Sequence, residues 1–327
     1  MLKRHLNQIT VALALAATLP LSFAQSAAPS WPTKPIKLIV PYAAGGPADV
    51  VARELALVLT ADLKQPVTVE NQGGGMGVPA LGVVARAEPD GHTLLLAAFG
   101  NMVLQPMLSK KGGADLVAKL KPVSTISTGP HVLVVSAKLP VKNIPELIDY
   151  ARANPGKVSF ASAGTGGTAH LGMEMFKALS KTDVIHVPYK GSAGAVNDLI
   201  SGEVSAMFSS LPSLQGLADK GLVKVLAATA PSKSNATKSL PLIGTALPGF
   251  DYTTWYAMYA PLATPKPLVD VINVALSKAL KTPALVAKIE AAGTELQAGS
   301  PEEVQAWTQR DTEKWSRVIR DAKIAVD

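Results

Sequence analysis

Short apolar, β-branched runs alternate along this chain with amphipathic stretches of helical spacing, and no other feature of the sequence restricts its fold as much. Ile36–Tyr42 (IKLIVPY) reads as a buried strand. Pro47–Leu63 reads as a helix, with Val51, Leu55, Val58 and Leu59 on one face and Asp49 paired to Arg53 four residues on. Further strands are predicted over Val67–Asn71, Thr93–Ala98, Val132–Ala137, Val158–Ser162, Val184–Tyr189, Val204–Ser210 and Val223–Thr229. Helices are predicted from about Pro79 to Ala87, after an Asn143 cap with Glu146 three residues later, over Thr168–Ser180 and over Ser192–Ser201. Ala230 to Pro248 is irregular, and the chain beyond it reads as mostly helical, with Ser300-Pro301-Glu302-Glu303 as a strong start signal. Such alternation implies parallel sheets flanked by helices. The strands are too many for one small core, so two α/β lobes are expected.

The start of the chain reads as an export signal. Lys3 and Arg4 precede an apolar run from Ile9 to Leu21, and Ser22-Phe23-Ala24 supplies small residues for cleavage after Ala24. The run is shorter than the ~20 residues of a membrane-spanning helix; an uncleaved anchor is the alternative. The sequence has no cysteine, which closes the lipoprotein route along with disulfides, thiol catalysis and thiolate metal sites. A soluble periplasmic monomer is the expectation. Without Lys3 and Arg4 the chain keeps 29 basic against 24 acidic residues, +5 in all. These charges are scattered, with no basic stripe or aromatic platform for nucleic acid. They support mild attraction of anions.

In open α/β sheets ligands sit at the carboxyl ends of strands, beside helix N-termini. Three strand–helix junctions carry unusual loops. Pro41-Tyr42-Ala43-Ala44-Gly45-Gly46-Pro47-Ala48-Asp49 has two glycines that let backbone N–H groups converge before a helix dipole, with Asp49 in the first turn. Read structurally, it is a tight turn with an Asp at a helix start. Ser162-Ala163-Gly164-Thr165-Gly166-Gly167-Thr168-Ala169-His170 superficially matches a dinucleotide fingerprint, but the acid that should end the following strand is missing, and an anion nest is the simpler reading. Pro188-Tyr189-Lys190-Gly191-Ser192-Ala193-Gly194 offers an aromatic ring and a cation, although Lys190 also fits a solvated lysine and Tyr189 a core residue. Gly73-Gly74-Gly75-Met76-Gly77 marks a fourth junction, either near the site or allowing a sharp turn.

Catalytic machinery is not evident. There is no Gly-x-Ser-x-Gly elbow, no HExxH and no Walker loop, and His92, His131, His170 and His186 lack metal-motif spacing. No catalytic residue, cofactor or metal is expected.

The order of Val40-Pro41-Tyr42, Gly45-Gly46, Asp49 and Arg53 resembles the opening motif of the tripartite tricarboxylate transporter substrate-binding proteins, the TctC or Bug family. Pro89-Asp90-Gly91-His92-Thr93-Leu94-Leu95, Ser162-Ala163-Gly164 before His170-Leu171, and His186-Val187-Pro188-Tyr189-Lys190-Gly191 are similar to later family segments. So are Pro248-Gly249-Phe250, Trp255-Tyr256 and Ala260-Pro261. The resemblance covers Trp31 to Asp327. It implies a two-lobed periplasmic-binding-protein-like fold of the type II Venus-flytrap kind, α/β, with mostly parallel sheets flanked by helices. The expected division is 1–24 signal peptide, 31–128 the first part of lobe 1, 129–248 lobe 2, and 249–327 the return to lobe 1.

The resemblance also implies capture of a small carboxylate-bearing metabolite by backbone amides and bridging waters, and delivery to two membrane subunits of a transporter. Carried over by position, the contacts are Tyr42, Ala44, Gly45, Gly46, Pro47, Ala48 and Asp49 on one lobe. On the other they are Ser162, Gly164, Thr165, Gly166, Gly167, Thr168, His170, Tyr189, Lys190 and Gly191. The chain departs from the family pattern at Gln72–Gly77, at Pro79-Ala80, at Ser209 where Asp is frequent, and at Thr165–Ala169; these changes bear on which acid is bound. A periplasmic ligand sensor that signals to a membrane partner is the second reading, and a periplasmic hydrolase, for which no nucleophile–base pair is recognisable, the third.

Overall fold

The computed structural model describes residues 30–108, 113–189, 192–291 and 293–321. The expected signal peptide, residues 1–24, and the pair Lys190-Gly191 lie outside the described residues. In chain order the strands are β1 (Ile36–Val40), β2 (Val67–Asn71), β3 (Thr93–Ala98), β4 (Leu120–Pro130), β5 (Val132–Ser136), β6 (Val158–Ser162), β7 (Val184–Pro188), β8 (Ala206–Ser209), β9 (Val223–Ala228), β10 (Thr253–Pro261) and β11 (Glu295–Leu296). They form two sheets, ordered β11-β4-β10-β3-β1-β2 and β7-β6-β8-β5-β9. The expected α/β architecture with two halves is what the chain builds.

Each sheet is mixed, where the sequence pattern implied mostly parallel ones. β1 runs parallel to β2 and β3, and β6 parallel to β7 and β8. β10 runs antiparallel between β3 and β4, and β5 antiparallel between β8 and β9. The cause is the double crossing of the chain. β4 leaves the first sheet and β10 re-enters it, while β5 enters the second and β9 leaves it, so each leaving strand lies beside an entering one of opposite direction.

β4 and β10 were not read from the sequence as strands. Ser124, Thr125 and Ser127 of β4 are fully buried, and hydroxyls take the place of apolar side chains there. Ser124 Oγ donates to the Gly299 carbonyl at 3.0 Å and Thr125 Oγ1 to the Gln297 carbonyl at 2.9 Å. β10 lies between two strands, with its residues from Ala257 to Pro261 buried. Its continuous apolar run has no periodicity to tell it from a helix.

Helices cover both sheets. Helix Pro47–Leu63 buries Val51, Ala52, Leu55 and Leu59 against β1 and stops at Lys64, which is left-handed and returns its N–H to Thr60. Helix Ile144–Ala153 starts as the sequence implies: Asn143 accepts from the Glu146 N–H at 2.9 Å, and Glu146 accepts from the Lys142 N–H at 2.8 Å. Helix Pro301–Asp321 has the same reciprocal start between Ser300 and Glu303. Among the described residues no helix is long and apolar enough to cross a membrane.

The two crossings are fastened at one place. The His131 N–H donates to Thr229 Oγ1 at 3.0 Å, and the Thr229 N–H donates to the His131 carbonyl at 2.9 Å. Thr229 Oγ1 donates to the Tyr252 carbonyl at 2.7 Å, and the Tyr252 N–H returns to Thr229 at 3.2 Å. The Tyr252 ring packs on Gly172 of helix Thr168–Ser180: a Cβ there would stand 2.6 Å from the Tyr252 hydroxyl.

Candidate functional site

Two strand–helix corners of the same build stand at the carboxyl ends of β1 and β6. In the first, Gly45 sits at φ 83° and Gly46 is extended before a helix that opens with Pro47. In the second, Gly166 sits at φ 78° and Gly167 is extended before a helix that opens with Thr168. Glycine takes positive φ without strain, so each corner bends back on itself at little cost. Neither helix has a side-chain cap. The N–H groups of their first turns have no intrahelical acceptor and carry the positive end of the helix dipole.

Each corner is fixed by its third helical residue. The Gly45 N–H donates to Asp49 Oδ2 at 2.9 Å, and the Gly166 N–H donates to His170 Nδ1 at 3.0 Å. Asp49 is 3% exposed and also accepts from Arg53 Nε at 2.9 Å and from Asn71 Nδ2 at 2.9 Å. Burial opposes its charge, but hydrogen bonds from Arg53, Gly45 and Asn71 hold the carboxyl below the usual carboxylate range. Because His170 accepts at Nδ1, its proton sits on Nε2, 3.7 Å from Glu174 Oε1. Its ring stacks on His186 at 3.9 Å, and His186 Nε2 reaches Ser162 Oγ at 2.6 Å. Ser162 in turn holds both backbone groups of Gly164. Desolvation and the neighbouring His170 push His186 down to about 4, against the pull of Glu174.

The corners meet across the turn that follows β3. A Cβ on Gly100 would lie 3.8 Å from Thr168 Oγ1 and 3.9 Å from the Tyr42 hydroxyl. A Cβ on Gly166 would lie 3.2 Å from Met76 Cε and 3.3 Å from Leu108 Cδ1, so apolar side chains from one half rest on the glycine of the other. Tyr42 and Thr168 are thus brought together at Gly100, Gly166 lies against Met76 and Leu108, and Gly164 lies against the Tyr189 carbonyl. Two side chains point elsewhere. The Asp49 carboxylate is turned into its own loop, and the Tyr189 hydroxyl donates to Asp198 Oδ2 at 2.5 Å, with burial and that carboxylate pushing the phenol up to about 12.

A family profile described as the tripartite tricarboxylate transporter family receptor matches residues 51–324. The chain belongs to this receptor family. Solved structures agree in fold. An R. palustris protein with adipate is 31% identical, with a TM-score of 0.84, covering 91% of this chain and 100% of its own. The periplasmic binding protein BugD is 32% identical, with a TM-score of 0.80 and coverage of 91% and 100%. MatC from Rhodopseudomonas palustris with bound malate is 28% identical, with a TM-score of 0.78 and coverage of 88% and 100%. Members of this receptor family are periplasmic solute-binding proteins.

Sequence reasoning does not single out the turn across which the two corners meet. Gly100 and Asn101 follow β3 in a wide helical turn, Gly100–Leu104, without the paired glycines that drew attention to the other corners. Asn101 is 3% exposed and ties three segments: its Oδ1 accepts from the Tyr42 hydroxyl and the Ala98 N–H, and its Nδ2 donates to the Met76 carbonyl. The rule that strand carboxyl ends line the site, applied to β3 as well, points to this turn.

Proposed function

We propose that this protein captures a small carboxylate in the periplasm and presents it to the membrane subunits of a tripartite tricarboxylate-type transporter. One observation supports the reading: two uncapped helix N-termini, each behind a Gly-Gly bend, come from opposite halves, and the Tyr42 hydroxyl of one corner and Thr168 Oγ1 of the other stand within 3.9 Å of one point above Gly100. Their first-turn amides, with Gly46, Ala48, Thr165 and Thr168, supply donors for an anion without any buried arginine, and Tyr42 stands beside them. Adipate and malate, the ligands of two relatives, belong to the same chemical class. Asp49 and His170 act as positioning residues that hold the amides outward.

The magnitudes allow it. Micromolar capture needs about −8 kcal/mol. Charge-assisted hydrogen bonds contribute roughly 1.5–3 kcal/mol each. Four or five of them suffice once the loss of motion is subtracted. Closure excludes water and strengthens each bond, and the ligand favours closure because only the closed form offers donors from both sides. In this reading 31–128 and 249–327 make one lobe, 129–248 the other, and export follows cleavage after Ala24.

Native mass spectrometry of freshly purified protein, followed by a thermal-shift screen of organic acids, tests the reading. A true ligand at a hundredfold excess over Kd stabilises the protein by about 2.7 kcal/mol. A broad panel in which no acid shifts the melting temperature contradicts the proposal. Capture of the transporter subunits by the loaded protein tests the partner.

A further inference from the structure

The proton of the Tyr42 hydroxyl has one destination. Asn101 is oriented by two backbone groups, since its Nδ2 donates to the Met76 carbonyl at 3.0 Å and its Oδ1 accepts from the Ala98 N–H at 3.1 Å. Tyr42 therefore donates to Oδ1, at 2.8 Å. Burial raises the phenol well above its ordinary pKa, so the proton stays on. Toward Gly100 the Tyr42 oxygen offers lone pairs only. Thr168, the first residue of its helix, brings a hydroxyl that both donates and accepts. Both oxygens lie within 3.9 Å of the point that a Cβ on Gly100 would occupy.

A ligand group that approaches Gly100 and meets the Tyr42 oxygen on this side has to donate to it. A second carboxylate cannot, and would meet the Tyr42 lone pairs head on. An ammonium donates, but it would face the positive ends of the helices that begin at Pro47 and Thr168. A hydroxyl donates to Tyr42, accepts from Thr168 and carries no charge. We infer that the acid bound here is a hydroxycarboxylate, with its hydroxyl seated between Tyr42, Thr168 and Gly100. The inference rests on the carboxylate-capture reading: helix-terminal amides take the carboxylate, and the hydroxyl pair selects the substituent beside it.

Calorimetry with acids matched for the hydroxyl tests it on the purified protein: malate against succinate, lactate against propionate, citrate against tricarballylate, and mandelate against phenylacetate, with aspartate and alanine as amino counterparts. In the pair that fits, the hydroxy acid should bind about tenfold more tightly. Tyr42→Phe should collapse that ratio toward one, and so should Thr168→Val, which guards against a fault peculiar to either variant. Gly100→Ala, whose methyl group would stand 3.8 Å from Thr168 Oγ1 and 3.9 Å from the Tyr42 hydroxyl, should do the same by crowding the gap between them. Equal binding of hydroxy and deoxy partners overturns this inference and leaves carboxylate capture standing. Tighter binding of the amino partner also overturns it. If no acid binds, both readings fall.

Discussion

The corner at Gly45-Gly46 and the corner at Gly166-Gly167 share a backbone but not an anchor. Each glycine pair turns its first N–H back to the third residue of the helix, yet that residue is a carboxylate in one and a neutral imidazole in the other. Asp49 is surrounded by three donors, and its network depends on its charge. His170 accepts only while Nδ1 is bare, and it leans on a second imidazole that is also wired to the loop, through Ser162. The same shape is therefore held by two chemistries.

The largest break in this comparison should come from Asp49→Ala. It leaves the Gly45 N–H without an acceptor and removes one bond each from Asn71, which keeps the Tyr42 carbonyl, and from Arg53, which keeps Asn71 Oδ1, and should cost about 1–3 kcal/mol of stability by urea unfolding. Next come Gly46→Val and Gly167→Val. Both positions have extended backbones, and the new Cβ meets nothing nearer than 3.6 Å and 3.4 Å respectively. Each should weaken ligand binding at least about tenfold, near 1.4 kcal/mol, with little change in melting temperature. If either leaves affinity unchanged, that corner is not part of the site.

Acid should then separate the corners. His186 and His131, which desolvation also lowers, titrate at about 4 in the folded chain. The unfolded chain takes up these protons near 6.5. Their contribution is complete above about 6.5 and is lost as pH falls toward 4. Asp49, lowered in the folded state, contributes above the ordinary carboxylate value and fails only below it. The melting temperature should fall between pH 6.5 and 4, and His186→Gln should flatten part of that fall; an unaltered slope would remove the histidine pair from the account. Arg53→Ala should have the smallest effect. Its side chain is half exposed, and Asp49 keeps its bonds to Gly45 and Asn71.

Both corners could be found in the sequence because paired glycines stand between a β-branched run and a helical one. Capping boxes at Asn143 and Ser300 were equally plain, since their residue types encode the bonds they make. Periodicity failed where burial is polar, as at Ser124 and Thr125, whose hydroxyls answer to carbonyls about 170 residues away. It failed again at Asn101, because the meaning of that residue lies in three segments that come together only after folding. The different duties of Asp49 and His170 were hidden for the same reason: which atom accepts is a matter of geometry.

The fastening of His131, Thr229 and Tyr252 has a mechanical corollary. Both strands of chain that join the halves are tied at one fulcrum, so the proposed opening would resemble the action of shears more than that of a ball joint. The Tyr252 ring presses on the helix whose first turn faces the crevice. In the proposed capture, closing the jaws would displace the rear of the molecule as well, and a loaded receptor would differ from an empty one on the side remote from its cargo.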